Sequence, residues 1–197
     1  MSIRAEAEEN LRVIRSLMEK ATVYRAVSAP GALVGGLASI AIVSVAWSSQ
    51  HPLPFAPTWL GALALTAIAN FWLLRRDAAR RDEPFVSPGM RLALRAMLPA
   101  LLGGGLCVFV AAAVGPALLA SLWVLFYGVS LLAASHFAPK SICWLGRAFF
   151  VAGAVMLVGG AWVQGNAHVI MGATFGLFHL LYAACTWPRR ADRGGTP

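Results

Sequence analysis

The sequence predicts an all-α, polytopic membrane protein. Six transmembrane helices are arranged as three hairpins, preceded by an N-terminal amphipathic helix on the cytoplasmic side. Three observations predict this. The chain has 16 basic and 8 acidic residues, yet none falls within 26–74, 96–139 or 148–188. Each of these runs is about twice the roughly 20 residues that one bilayer-crossing helix needs. Each run is also broken near its middle by Pro, Gly, Gln, Asn or Ser, as a hairpin turn requires. Finally, 59% of the residues are hydrophobic and only 12% charged. Soluble domains carry about 25% charged residues, so a water-soluble fold would lack the polar surface to cover itself.

Residues 1–25 form the first unit, a cytoplasmic amphipathic helix over 3–24. Ile3, Ala7, Leu11, Ile14, Met18 and Ala21 recur at spacings of three and four, with Glu8–Arg12 and Arg15–Glu19 as i,i+4 pairs. Such a helix lies on the inner leaflet or packs under the bundle. The seven-residue repeat of Ala7, Ile14 and Ala21 also allows a short coiled-coil seam.

The membrane domain is 26–188. Its first span, about 30–49, opens at Pro30, a favourable first helical position because its missing N–H costs little there. Ser48 to Pro54 is the first outer turn. The second span, about 56–74, ends in Arg75-Arg76, with Phe71 and Trp72 placed as an interfacial aromatic belt. The polar stretch that follows extends this helix until Pro84 and Pro88-Gly89 stop it. The third span, about 93–113, contains Pro99, which predicts a kink. Gly115-Pro116 is the second outer turn, and the fourth span runs over about 117–137 to Pro139. The fifth, about 142–162, turns at Gln164-Gly165-Asn166 into the sixth, about 167–187. Residues 189–197 are a cytoplasmic tail. Pro30 to Leu37 matches Pro99 to Leu106 at Pro, Leu, Gly, Gly and Leu, an offset of 69. If it is a repeat, it relates units by an axis along the membrane normal.

The net charge of +8 follows from topology. Basic residues cluster before the first span, around 75–95, at Lys140 and Arg147, and after Pro188. The opposite loops, near 48–58, 114–116 and 163–168, have none. The positive-inside rule then places both termini in the cytoplasm of a multi-pass cell-membrane protein. The Arg- and Ala-rich composition points to a bacterial inner membrane. The bilayer is the expected partner, with self-association or an unknown membrane protein beside it, and nucleic acid is not expected. The first 25 residues lack the apolar core of a cleavable signal peptide.

Intramembrane ionisable residues are the usual marks of transport chemistry, and no Asp, Glu, Lys or Arg lies in the runs 26–74, 96–139 and 148–188 that hold most of these spans. Paired catalytic carboxylates, His-Glu-x-x-His, Cys-x-x-Cys and phosphate-binding loops are also absent. No cofactor and no metal is therefore expected. His51 and His168 share the outer face, but two ligands are too few for a closed metal site. His179 is the embedded ionisable group. Tyr127 lies at similar depth, and Asn70, Ser130 and Tyr182 join them in a candidate polar site if the second, fourth and sixth helices meet. The plainer reading is a set of interhelical hydrogen bonds that fix packing. Gly31-x-x-x-Gly35 and Gly172-x-x-x-Gly176 are candidate close-packing faces. The expected function is an interaction or regulatory membrane module or subunit. The alternatives are a small oligomeric transporter or channel for a neutral or weakly polar solute, and a membrane enzyme without a recognisable motif.

Overall fold

The computed structural model describes residues 29–49, 53–80, 85–86, 88–136, 138–159, 163 and 165–187, together with positions 6, 8, 10 and 11. The expected amphipathic helix over 3–24 lies outside the described residues except at those four positions, and so do His51, Pro84 and the tail.

The described chain is all-helical. Six helices are long and apolar enough to cross a membrane, as a multi-pass membrane protein requires. They are α1 (Ala29–Ser48), α2 (Phe55–Arg80), α3 (Pro88–Leu106), α4 (Ala111–Ala134), α5 (Lys140–Val158) and α6 (Ala167–Thr186). α2 continues past Arg75-Arg76 to Arg80. α3 carries Pro99 within its helix and tightens to a 3-10 turn at Cys107–Val110. The turn between the third and fourth spans is at Gly115, whose φ of 75° and ψ of 168° break the helical path inside α4. A side chain at that positive φ would be strained, and Pro116 then restarts the helix with φ already set.

α4 is the hub. It packs along α5 and α3 and touches α2 and α6, while α1 packs on α2 and α6. The core runs along α4 and α5 through Leu119, Val124, Leu131, Ile142 and Phe149, each 1% exposed or less. α2 buries only Trp59. Its outer face, and that of α3, is a run of exposed Leu, Ile and aromatic side chains, as apolar solvent demands.

Glycine sets how closely the helices approach. A Cβ on Gly128 of α4 would meet the backbone nitrogen of Phe150 and stand 2.8 Å from its Cα. On α5, a Cβ at Gly153 would lie 2.6 Å from the Leu125 backbone, and one at Gly146 3.1 Å from the Leu132 nitrogen. The α4–α5 backbones are therefore in direct contact, which is how membrane helices gain packing without a hydrophobic drive. Gly36 and Gly176 do the same for α1 and α6: a Cβ on Gly36 would be 3.1 Å from the Gly176 carbonyl oxygen. Of the glycines the sequence singles out, Gly172 faces Val43, and Gly176 faces Ile40. Gly35 turns toward Thr66 of α2, and Gly31 is buried in the first turn of α1.

Candidate functional site

The polar centre lies where α4, α5 and α6 converge. The Tyr127 hydroxyl of α4 is 2.9 Å from His179 Nε2 on α6. His179 Nδ1 is 2.8 Å from the carbonyl oxygen of Phe175. A carbonyl only accepts, so Nδ1 carries the proton and donates to Phe175. In the neutral ring Nε2 is then the acceptor, and Tyr127 donates to it. Both nitrogens of the imidazole are satisfied.

The local helix makes this geometry. α6 is α-helical over Ala167–Met171, π-helical over Gly172–Leu177, and α-helical again over Phe178–Thr186. Phe175 is in the widened turn, where backbone bonding passes from i,i+4 to i,i+5. Its carbonyl oxygen is the one that takes the His179 side-chain donor.

Around this bond the surroundings are aromatic. Tyr127 meets Phe149 edge-on at 4.7 Å and Phe175 at 5.1 Å between ring centroids. Phe175 stacks on His179 at 5.8 Å with 12° between planes. Phe149, fully buried, also contacts Phe178 and His179. These edge and offset contacts are favoured ring geometries, and they surround the Tyr127–His179 hydrogen bond with aromatic side chains.

The other predicted residues are placed differently. Ser130 is fully buried, and its hydroxyl donates to the Tyr127 carbonyl of its own helix at 2.7 Å. Tyr182 is buried one turn beyond His179. Asn70 is half-buried on α2, a helix that meets α6 through Trp59, about three turns before Asn70. Tyr127 and His179 are joined side chain to side chain across two helices. Ser39, Ser121 and Thr174 likewise donate to carbonyls of their own helices. Among the described residues no buried side-chain nitrogen or oxygen lacks a hydrogen-bond partner.

A second polar group, near the opposite end, was not assembled by sequence reasoning. His168 Nε2 is 3.1 Å from the Leu53 carbonyl, to which it donates, and Trp59 Nε1 donates to His168 Nδ1 at 3.2 Å. Phe55 stacks on Trp123 at 5.8 Å and meets His168 edge-on at 5.1 Å. Trp123 in turn donates to the Gly104 carbonyl of α3 at 2.9 Å, just before the 3-10 turn. This cluster joins α2, α3, α4 and α6. It commits both His168 nitrogens to protein partners rather than to a ligand. The three cysteines are free. No group of three or more His, Cys, Asp or Glu side chains comes together among the described residues.

Comparison with known proteins leaves the assignment to these residues: no family model, curated protein or solved structure matches the chain.

Proposed function

We propose that this protein is a membrane interaction or regulatory module, a subunit that works by packing against a partner or a second copy of itself. One observation carries the reading. The Tyr127–His179 pair, the polar pair where α4, α5 and α6 meet, is bonded within itself and to the Phe175 carbonyl and packed among Phe149, Phe175 and Phe178. A site that moves a solute or proton needs polar groups facing a wet path. Here the polar groups face one another.

The α4–α5 and α1–α6 glycine contacts support a rigid bundle rather than one that rocks open. The exposed faces of α2 and α3 support an assembly surface. A Cβ at Gly61 on α2 or Gly105 on α3 would meet nothing within 4 Å, so a neighbouring helix has room to approach there. In this reading the three hairpins enter from the cytoplasmic side of a bacterial cell membrane. Both termini are inside, and the N-terminal amphipathic helix lies at that face, where the charges are.

Affinity purification of the full chain from native membranes in mild detergent tests the proposal. A second copy or another membrane protein should co-purify in stoichiometric amount. A strictly monomeric protein that mediates solute flux in proteoliposomes would overturn it.

A further inference from the structure

We propose that the charged end of α5 binds the headgroup of an anionic phospholipid through Arg147 and Trp144. The guanidinium of Arg147 lies over the indole of Trp144, 4.9 Å from the ring centroid. Trp144 is 66% exposed and Arg147 is exposed beside it, so the pair faces the lipid side of the helix. Stacking on an indole holds the guanidinium plane and leaves its N–H edge free to donate.

Depth and charge identify the occupant. Arg147 is seven residues into α5 from Lys140, about 10 Å along the axis. There a cation needs a counter-charge. α5 contains no acidic residue, and neither do α4 and α6, against which it packs. A lipid phosphate reaches that level from the bilayer side, and its oxygens match the paired N–H groups of arginine. Trp144, one turn nearer the helix start, sits at the level of the headgroup and glycerol, where indoles are enriched. Lys140 adds a second exposed cation at the same end of the helix, which favours a headgroup with net negative charge over a zwitterion.

The same device recurs on α2. Arg76 lies over Trp72 at 5.4 Å, and Trp72 is 59% exposed. This pair is near the C-terminal end of its helix, and the α5 pair is near the N-terminal end of its own. In consecutive antiparallel crossings those ends lie on one side of the bundle.

The test uses the full-length protein purified from mixed bilayers of phosphatidylglycerol and phosphatidylethanolamine. Native mass spectrometry counts the lipids retained on the folded protein. Wild type should retain phosphatidylglycerol preferentially, and Arg147→Gln should lower that retention roughly fivefold. Trp144→Leu should lower it less, and Arg80→Gln, a charge beyond the stacked pairs, should leave it unchanged. Excess inorganic phosphate should not displace the lipid. Equal retention of the two lipids by wild type, or a loss at Arg80→Gln as large as at Arg147→Gln, would overturn the proposal. Displacement by phosphate would do so too, since the site would then be one for a soluble anion.

Discussion

Replacing Gly128 with Ala tests the packing most severely. The new methyl would stand 2.8 Å from the Phe150 Cα and 2.9 Å from the Phe149 carbonyl carbon, with the Phe150 nitrogen closer still. All three are backbone atoms in the middle of α5, so no side-chain rotation relieves the clash. Ordinary carbon contact needs about 3.5 Å or more, so the helices must part by roughly 0.5–1 Å, which forfeits a quarter to a half of each dispersion contact along the face. Overpacking of this kind costs about 1–3 kcal/mol, while Gly→Ala within a helix returns up to about 1 kcal/mol. The net expectation is a loss of about 1–2 kcal/mol. Gly61→Ala is the control, because its methyl meets nothing within 4 Å, and it should be neutral or slightly stabilising. Thermal unfolding in detergent, followed by helical circular dichroism, gives the difference. If Gly128→Ala unfolds at the same temperature as Gly61→Ala, the direct α4–α5 contact is wrong.

Tyr127→Phe keeps the ring contacts but leaves His179 Nε2 without its donor. It should cost about 1 kcal/mol, within the range of hydrogen bonds between membrane helices, in the same unfolding assay. An unchanged stability would mean that the bond contributes nothing. His168→Phe removes the donor to Leu53 and the acceptor for Trp59, and is expected to cost about 1–2 kcal/mol, with wild-type stability as the contrary outcome. For topology, single cysteines in a cysteine-free background should react with an impermeant reagent added outside at positions near 52, 115 and 165, but not at 85 or 192. Labelling at 85 would refute the orientation.

The six spans were legible because lipid permits so little. A run without charge, long enough for two crossings and broken by turn residues, has few alternatives. The break at Gly115-Pro116 was legible for the same reason: one residue supplies the positive φ and the next restarts the helix. Tyr127 and His179, which residue counting puts at similar depth, are hydrogen-bonded to each other. Other contacts escaped sequence reasoning. Gly128 is a lone glycine with no spacing to mark it, and Gly146 and Gly153, seven apart on its partner, were not singled out either. Gly36 stood beside the Gly31/Gly35 pattern and was overlooked, yet it is the one against Gly176. The π turn over Gly172–Leu177, which packs against α1, left no signature in residue spacing. The Trp59–His168 bond joins residues 109 apart in sequence, beyond any local pattern.

The central claim is that the interior is packed and closed, with its polar pair serving structure. Ser130→Cys probes this directly, since Ser130 is fully buried beside Tyr127 and cysteine is nearly isosteric. In a cysteine-free chain reconstituted in lipid, a small water-soluble thiol reagent should leave Cys at 130 unmodified under conditions that fully modify Cys at the exposed position Gly165. Modification at 130 as fast as at 165 would mean that water reaches the Tyr127–His179 pair, and would contradict the account.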